Sequence, residues 1–457
     1  MRARAVEVLL VVHRFPPDSV GGTELYALRL AQHLADRGDG VTVLTYAQGN
    51  TREAVLREHQ YQGIPVWRLS FDLNQTSNPI LEEYDNPRVA GFLREALSAR
   101  RPDLLHIAHF GYLSTSVLAV AKEIGIPAVV TLTDLWPICV TSRLVRSNDS
   151  LCTGPTDLGE CVRCCTQMGP RGAPYARLAR LVPTSVWRLM AGACGLPLVQ
   201  SLPYLRWLDA LATRHQVIRQ RLLGAKAIFC PGEFVRQVLV RNGYPAHRIR
   251  HSPHGIEEPK RALRETPVGL AAKLRFGYVG PLARHKGAHL PVEAFASLGL
   301  DSQASLTYWG PVVGARASDS YGALVAERIA ETKGANHEGP FPNETVGEIM
   351  ARLDVLIVPS TWYENTPTVI YEALASGTPV VATDHGGMRE LVDAYRGGWL
   401  FPRGDVRALA SLMKRLVENR DLVRRAAAGI RRVPGFAAHF EEVALVYEQA
   451  LSRESTP

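Results

Sequence analysis

Short apolar runs alternate with amphipathic segments along most of the chain, and this alternation constrains the fold more than any other feature of the sequence. Residues 6–12 have the length of one buried strand, and the apolar spacing of residues 24–37 suits a helix packed on a sheet. Residues 41–45 provide the next strand. Because strand–helix–strand order is typical of doubly wound parallel sheets, we expect an α/β protein.

The same pattern begins again at residues 274–280, which indicates a second domain. We expect residues 1–256 to form the first domain, with an insertion at 139–222, and residues 268–433 to form the second. Residues 257–267 contain prolines and charges and are interpreted as the linker, and residues 434–457 as a C-terminal helical segment. The length of 457 residues agrees with two or three domains.

The composition indicates a globular protein that attracts anions. Hydrophobic residues make up 46% of the chain and charged residues 21%, and the net charge is +8. This charge favours phosphate groups, an anionic membrane face or nucleic acid as partners. The first apolar run is too short for a signal peptide, no apolar run reaches membrane-spanning length, and the seven cysteines are interpreted as reduced thiols. We therefore expect a cytoplasmic protein.

A loop between a predicted strand and a predicted helix carries the first candidate site. Residues 355–358 form the apolar run, and Thr366 and Pro367 suit the N-cap and first position of the helix that follows. Glu364 lies in the loop and Glu372 in the helix, with seven residues between them. A loop at a helix N-terminus binds anions readily. Alternatively, Glu372 is a solvated residue on an amphipathic helix.

Two other loops repeat this arrangement of strand, glycines and helix. Residues 380–383 are followed by Gly386 and Gly387, and residues 6–12 are followed by Gly21 and Gly22, with Thr23 as a predicted helix cap. Phosphate contact and a plain tight turn are both consistent with the Gly21–Gly22 pair.

Glu364, Glu372 and the segments 372–384 and 386–392 resemble the retaining GT-B glycosyltransferases of group 1. The resemblance is strong over 274–405, fair over 6–45 and 225–256, and poor over 139–222. It implies two facing Rossmann-like domains with an active cleft between them, and a last helix that returns to the first domain. It also implies that Glu364 meets the transferred sugar while Glu372 binds the ribose hydroxyls of a nucleotide-sugar donor.

The resemblance also implies how the donor diphosphate is held. Gly21 and Gly22 match a glycine loop that approaches the diphosphate, and Lys286 matches a basic residue that clamps it. Pro281 occupies the position of the usual arginine, and Arg284 is the candidate substitute. No Asp-x-Asp motif is present, so we expect catalysis without an obligatory metal and a UDP-, GDP- or ADP-sugar as donor. The remaining candidate donor-binding residues are Asn365, Thr366, Pro367 and Thr368.

The acceptor side departs from the family pattern. Members often carry His-Asp after a first-domain strand, where this chain has Thr133 and Asp134. Asp134 is the candidate that orients or deprotonates an acceptor hydroxyl, which makes it the second catalytic candidate beside Glu364. His109 ends the preceding strand and is either an acceptor contact or a structural histidine. His254 replaces the more common asparagine where the chain enters the second domain.

The insertion contains two further features. Cys139, Cys152, Cys161 and Cys164 could form a four-thiolate structural zinc site, or they are unligated or redox-active thiols. Residues 166–225 contain eight arginines and one acid, with Trp187 and Trp207 interleaved. This bias favours either peripheral binding to an anionic membrane on its inner face, or a solvated helical pair packed on the domain.

We therefore expect transfer of a hexose-type sugar, with retention, to a glycan or lipid-linked hydroxyl acceptor in surface polysaccharide or glycolipid synthesis. No nucleic-acid partner is expected. A nucleotide-sugar epimerase is disfavoured by the glutamate pair, whereas a non-catalytic sugar-nucleotide-binding protein is conceivable because of Thr133 and Pro281. A dehydrogenase is disfavoured because no Gly-x-Gly-x-x-Gly follows either first strand.

Overall fold

The structure is a computed structural model that describes residues 5–76, 78–146, 148–155, 157–165, 181–192, 206–257, 270, 272–313 and 320–452. The chain divides into two compact units. Unit 1 comprises Met1–Pro253 and Ala437–Pro457, and unit 2 comprises His254–Phe436. Apart from Glu257, the predicted linker lies outside the described residues.

Unit 1 contains an eight-stranded sheet with the order β3-β4-β2-β1-β5-β6-β7-β8. All neighbours are parallel except β3 and β4. The central strands are buried on both faces, as their uninterrupted apolar runs predict. The strands are β1 (Glu7–Val11), β2 (Gly40–Gln48), β3 (Val55–Tyr61), β4 (Ile64–Phe71), β5 (Leu104–Ile107), β6 (Ala128–Thr131), β7 (Ala227–Cys230) and β8 (Ile249–His251).

The antiparallel edge strand β3 departs from the purely parallel sheet expected from the sequence. Its hairpin with β4 turns at Gln62 and Gly63, which both have positive φ, at 50° and 79°. Two consecutive left-handed residues form the turn that matches the twist of paired strands. Strand β3 is mostly solvent-exposed and polar, so it lacks the apolar run by which the other strands were found.

Helices cover the sheet of unit 1, and the last of them comes from the C-terminal end of the chain. Tyr447 in α16 contacts His106 in β5, at 2.6 Å between the hydroxyl and Nδ1. The described helices of this unit are α1 (Gly22–Arg37), α2 (Pro79–Tyr84), α3 (Pro87–Ala99), α4 (Ser116–Ile124), α5 (Leu158–Cys165), α6 (Thr184–Gly192), α7 (Arg206–Leu223), α8 (Glu233–Arg241) and α16 (Phe436–Leu451), which begins one residue before the unit.

Unit 2 contains a six-stranded parallel sheet with the order β11-β10-β9-β12-β13-β14. Val355 and Ile357 of β12 face one apolar core, and Leu356 and Val358 face the other. The sheet is therefore buried on both faces. Its strands are β9 (Leu274–Val279), β10 (Ala304–Trp309), β11 (Ala335–Gly339), β12 (Val355–Val358), β13 (Val380–Thr383) and β14 (Gly398–Phe401).

The described α-helices of unit 2 flank this sheet. They are α9 (His289–Ala296), α10 (Tyr321–Glu331), α11 (Val346–Ala351), α12 (Thr368–Ala375), α13 (Gly386–Tyr395), α14 (Val406–Glu418) and α15 (Arg420–Gly429). Helices α14 and α15 meet at Asn419. No helix among the described residues is long and apolar enough to cross a membrane.

Two predicted helix caps are wrong. The N-cap of α12 is Pro367, not Thr366, because the Thr366 hydroxyl is hydrogen-bonded to His254 instead. Likewise, the N-cap of α1 is Gly21, while Thr23 lies inside the helix and donates its hydroxyl to Thr133. In both cases the threonine hydroxyl forms a hydrogen bond with a residue distant in sequence instead of capping the helix, as the local sequence had predicted.

Candidate functional site

Glu364 is the centre of a polar cluster in unit 2, in the loop after β12. Its Oε1 accepts hydrogen bonds from Lys286 Nζ at 2.7 Å, Ser360 Oγ at 2.8 Å and Trp362 Nε1 at 2.7 Å. The side chain is only 11% exposed. Burial opposes its charge, yet Lys286 and the other two donors hold the pKa of Glu364 below its usual value. The carboxylate is therefore ionised. All three of these hydrogen bonds go to Oε1 and none of them to the other oxygen, Oε2.

The backbone holds Lys286 against this loop. Gly287 has φ +66°, and a Cβ there would come within 2.1 Å of the carbonyl oxygen of Pro359. Thr361 N also donates to the carbonyl of His285 at 2.9 Å. Since only glycine fits both the conformation and the close approach, the Lys-Gly sequence fixes the distance between Lys286 and Glu364.

The second glycine loop of unit 2 closes against the first. Gly387 N donates to the carbonyl of Glu364 at 3.0 Å, and a Cβ on Gly387 would lie 1.4 Å from the carbonyl oxygen of Asn365. His385 Nε2 lies 2.7 Å from the carbonyl of Trp362. The loops after β12 and β13 thus form one site, as expected for the carboxyl ends of adjacent parallel strands.

Glu372 is buried, so its interpretation as a solvated helix residue is wrong. It is 9% exposed and lies in α12 among the apolar residues of that helix. Thr366, which precedes α12, lies 3.0 Å from His254 Nε2, and His254 Nδ1 lies 2.8 Å from the carbonyl of Gly255. The ring therefore donates through Nδ1 and accepts through Nε2. His254 thereby holds the loop that leads to Glu372.

The two predicted phosphate-binding cations have different neighbours. Arg284 is exposed, and its guanidinium lies 4.7 Å from the ring centroid of Tyr321. The Lys286 ammonium lies 5.5 Å from that of Trp362. Sequence reasoning missed a third cation, Arg403, whose Nε donates to the carbonyl of Thr361. Arg403 lies just after β14, at the carboxyl edge where parallel sheets of this kind bind ligands, and this position could have identified it from the sequence.

In unit 1, Asp134 and His109 form a hydrogen-bonded pair. Asp134 Oδ2 lies 3.0 Å from His109 Nε2, and Asp134 Oδ1 accepts from Trp136 N at 2.9 Å. Gly111 N donates to His109 Nδ1 at 2.9 Å, so the shared proton is on Nε2. Burial opposes both charges, but each partner favours the charge of the other, which raises the pKa of His109 and lowers that of Asp134.

Thr133, the departure from the family pattern, has a structural role. Its hydroxyl donates to the carbonyl of Ala108 at 3.0 Å and accepts from Thr23 at 3.0 Å. It thus joins α1, which starts at the Gly21–Gly22 turn, to the loop that carries Asp134. His109, in the loop after the neighbouring strand β5, places its imidazole beside Asp134.

His13 is a third member of this cluster that sequence reasoning missed. Its ring centroid lies 4.1 Å from that of His109, and burial followed by His109 lowers its pKa well below the usual value. Its Nδ1 is buried without a hydrogen-bond partner among the described residues. His13 lies two residues after the end of β1, which was the available signal. His13, His109, Tyr112 and Trp136 line a cavity of about 270 Å³.

The four predicted metal ligands, Cys139, Cys152, Cys161 and Cys164, also converge. They line a second cavity of unit 1, of about 260 Å³, and none of these four is in a disulfide bond. As the side chains stand, no group of three His, Cys, Asp or Glu residues in the described part of the chain could hold one metal ion.

The described part of the arginine-rich segment packs against the rest of unit 1. Trp187 and Trp207 are buried and pack edge to face with each other, at 5.8 Å between ring centroids. Three of the arginines are paired with acids of unit 1, namely Arg188 with Asp157, Arg214 with Glu83 and Arg221 with Asp85. Arg171, Arg177 and Arg180 lie outside the described residues.

Two family models match the chain, one in each unit. Residues 268–433 match the model described as glycosyl transferases group 1, and residues 21–153 match the glycosyl transferase 4-like domain.

Among curated proteins, the chain is 30% identical to the amylovoran biosynthesis glycosyltransferase AmsK of Erwinia amylovora, over 39% of this chain and 44% of AmsK. It is 29% identical to the colanic acid biosynthesis glycosyltransferase WcaL of Escherichia coli, over 38% of this chain and 43% of WcaL. The matches thus span less than half of each relative. The 2-deoxystreptamine N-acetyl-D-glucosaminyltransferase of Streptomyces fradiae is 27% identical over 86% of this chain and 81% of its own length.

Solved structures share the fold over nearly the whole chain. Anabaena HepE in complex with UDP and glucose has a TM-score of 0.61 at 17% identity, with 97% of this chain and 100% of HepE covered. Sucrose-phosphate synthase from Thermosynechococcus elongatus has a TM-score of 0.63 at 17% identity, with 97% and 98% covered. At this identity the likeness shows the fold alone.

Proposed function

The chain belongs to the group 1 glycosyltransferases, and from this premise we propose that it transfers a sugar from a nucleotide diphosphate sugar to a hydroxyl acceptor with retention of the anomeric configuration. The observation that carries the proposal is the ionised Glu364, which Lys286 Nζ contacts at 2.7 Å in the loop before α12. A buried carboxylate beside a cation, at a helix N-terminus, suits a sugar diphosphate because it offers an acceptor for hydroxyls next to donors for phosphate.

Each donor-site residue has a proposed role. Lys286 and the free N–H groups at the start of α12 bind the diphosphate and stabilise the charge that develops as the nucleotide leaves. Glu364 Oε2 accepts from the transferred sugar, and Glu372 accepts from the ribose. HepE was solved with UDP and UDP-glucose, which supports a nucleotide-sugar donor for a chain of this fold. Arg284 is the proposed second phosphate contact, by rotation away from Tyr321.

On the acceptor side, we assign the hydroxyl contact to Asp134 and His109. The acceptor oxygen forms the new bond to the anomeric carbon, the bond from that carbon to the donor phosphate oxygen breaks, and the hydroxyl proton passes to the departing phosphate. Retention requires no enzyme nucleophile, so Asp134 serves to orient the hydroxyl and favour loss of its proton. The names of AmsK and WcaL support an acceptor in surface polysaccharide synthesis, either a glycan or a lipid-linked sugar.

Binding and turnover together test the proposal. Calorimetric titration with UDP-, GDP- and ADP-sugars should identify one preferred nucleotide. Lys286→Gln should weaken its binding by about tenfold or more, since a charged hydrogen bond is lost. Lys414→Gln, on the exposed surface of α14, is the matched control. A preferred nucleotide that is bound but neither transferred nor hydrolysed would instead identify a non-catalytic binding protein, and an epimerised donor would identify an epimerase.

Attachment to an anionic membrane, on the cytoplasmic face, is a separate proposal with a narrower basis. Leu181 and Leu189, within the arginine-rich segment, are 80% and 77% exposed. Wild type should bind anionic liposomes at low salt, and the binding should weaken near 1 M salt, where the screening length falls to about 3 Å. Exchange of Arg177 and Arg180 for Gln should reduce binding, whereas Arg221→Gln, at an ion pair inside unit 1, should not. No binding at low salt would remove the proposal.

A further inference from the structure

A buried ring nitrogen of His13 is unpaired in the described part of the chain. His13 lines the cavity of about 270 Å³ that His109, Tyr112 and Trp136 also line, which we call the histidine cavity. Among the described side chains that line this cavity, His13 is the one with a buried polar atom, Nδ1, that lacks a hydrogen-bond partner. Buried polar atoms are nearly always paired in folded proteins, so Nδ1 points to a partner that comes from outside the chain.

The surroundings of His13 leave a lone pair on this nitrogen. The other ring nitrogen, Nε2, lies 3.7 Å from Oε1 of Glu24, which is buried in the first turn of α1. This distance is too long for a hydrogen bond, but a carboxylate so close favours the ring proton on Nε2. Burial, followed by His109, lowers the pKa of His13 well below its usual value, so the ring is neutral. Nδ1 is therefore able to accept a hydrogen bond.

The other acidic, basic and imidazole side chains that line the histidine cavity are already paired. The pairs are His109 with Asp134, Glu83 with Arg214, and Glu82 with Arg88. A ligand would have to compete with a partner of opposite charge to reach any of these groups. His13 Nδ1 requires no such exchange. An uncharged donor, such as a hydroxyl group, is therefore best placed to bind at His13.

The loop after β5 fixes the position of the His13 ring. A Cβ on Gly111 would lie 2.9 Å from His109 Cε1 and 3.2 Å from His13 Cβ, so glycine allows the two rings to approach to 4.1 Å. The next residue, Tyr112, has φ +66° although its side chain is bulky. Strained backbone of this kind persists where the surroundings fix it, and it is concentrated at functional sites. Nδ1 is thus positioned before a ligand binds.

We propose that His13 is a further specificity residue of the acceptor site, and that its Nδ1 accepts a hydrogen bond from a second hydroxyl of the acceptor. This inference rests on the proposed transfer to a hydroxyl that Asp134 contacts. Asp134 and His13 both contact His109, so one small molecule can reach both. The acceptor then carries hydroxyls close together on one ring, as a sugar does. A cavity of about 270 Å³ is near the lower limit for ligand pockets, which suits one such ring.

Nitrogen NMR of the full chain tests the contact in the absence of donor. With ¹⁵N-labelled histidine, the His13 Nδ1 resonance, assigned by its absence from His13→Asn, should be that of an unprotonated nitrogen. At least one of the methyl glycosides of glucose, galactose and mannose should shift this resonance. It should also bind about tenfold more tightly than cyclohexanol, which has a single hydroxyl on a ring of the same size. If none of these glycosides shifts the resonance, or if cyclohexanol binds as tightly, the inference is wrong.

Two conservative variants separate a contact at Nδ1 from a structural role of the ring. Asparagine places a polar atom near the position of Nδ1, and glutamine places one near Nε2, the nitrogen beside Glu24. The Kd of wild type for the methyl glycoside should therefore rise about tenfold in His13→Gln and His13→Leu, and least in His13→Asn. His247→Asn, at an exposed histidine, is the matched control. The reverse order, with affinity kept by His13→Gln and lost by His13→Asn, would show that His13 supports Glu24 and does not contact the acceptor.

Donor binding distinguishes a failure of this inference from a failure of the proposed function. The Kd for the nucleotide sugar should be the same in wild type and in the His13 variants, because its proposed contacts in unit 2 are unchanged. If the donor is bound and hydrolysed but no glycoside binds, the contact at His13 is refuted and the proposed donor reaction is not. If no nucleotide sugar binds while a glycoside still shifts the His13 resonance, the contact is supported and the proposed transferase function is wrong.

Discussion

Three donors meet one oxygen of Glu364, and this arrangement determines what the residue can do. An unpaired buried carboxylate would become protonated, because burial disfavours its charge. Lys286, Ser360 and Trp362 prevent this by donating to Oε1. These donors also restrict the Glu364 rotamer, which suits Oε2 to the proposed contact with a sugar hydroxyl. A residue held in this way is suited to stabilise charge and orientation in the transition state.

We expect Glu364→Gln to lower kcat about 100-fold while the donor Kd changes much less, because its charge acts mainly in the transition state. Steady-state kinetics with calorimetric donor titration measure the two effects. Ser360→Ala is the matched control, since it removes one donor to the same oxygen and keeps the charge. Equal losses in turnover and in donor affinity would show that Glu364 binds the ground state as strongly as the transition state.

Glu372→Ala should act on binding instead. Loss of a charged acceptor for the ribose hydroxyls should weaken nucleotide binding by roughly 1.5–3 kcal/mol. Glu348→Ala, on an exposed position of α11, should leave the Kd unchanged. Calorimetry with the free nucleoside diphosphate and its 2′-deoxy analogue measures the contact, because the variant should lose most of the discrimination between them. An unaltered Kd would refute the ribose assignment.

At the scale of elements, most strands could be predicted from their apolar runs. The two loops of unit 2 could be predicted because each follows such a run and leads into a helix. What escaped prediction depends on partners distant in sequence. His254 and Thr366 are 112 residues apart and meet only in the fold. His109 and Asp134 lie in the loops that follow the neighbouring strands β5 and β6, and their side chains meet only in the fold. Local propensity carries no information on such contacts, which is also why both cap predictions failed.

The contact between the loops after β12 and β13 depends on one glycine. Gly387→Ala should destabilise unit 2 by about 1–3 kcal/mol or displace the loop, because the new Cβ would lie 1.4 Å from the Asn365 carbonyl oxygen. The affinity of the Gly387→Ala variant for the donor should also fall. Gly429→Ala in α15 is the matched control, since a Cβ there meets no atom within 4 Å. Denaturant unfolding measures the free energy of unfolding of the two variants. Equal values would show that the two loops are not in contact.

At the scale of the whole molecule, a buried hydrogen-bond chain joins the end of the sequence to its beginning. Tyr26 in α1 contacts His439 in α16 at 3.0 Å and Thr131 in β6 at 2.9 Å. His106 in β5 contacts Thr131 at 2.8 Å and Tyr447 at 2.6 Å. Packing and these bonds hold α16 within unit 1, although the whole of unit 2 precedes it in the chain. Satisfied buried networks of this kind fix one arrangement of their elements.

This network should make the stability of unit 1 depend on pH. Burial lowers the pKa of His106 to about 3, whereas an unfolded histidine has a pKa of about 6.5. Between these values the unfolded chain binds a proton that the folded chain does not, so stability is lost as the pH falls below about 6.5. At about pH 5 this one group should remove about 2 kcal/mol from the free energy of unfolding.

Denaturant unfolding at about pH 7.5 and about pH 5 measures this loss of stability in wild type and in two variants. His106→Gln should lower stability at the higher pH, because Tyr447 and Thr131 lose their shared partner, and it should remove the corresponding part of the pH dependence. His247→Gln, an exposed histidine, should keep the wild-type dependence. If His106→Gln and His247→Gln lose the same stability on acidification, the pH dependence arises elsewhere, and His106 is not the group that titrates on unfolding.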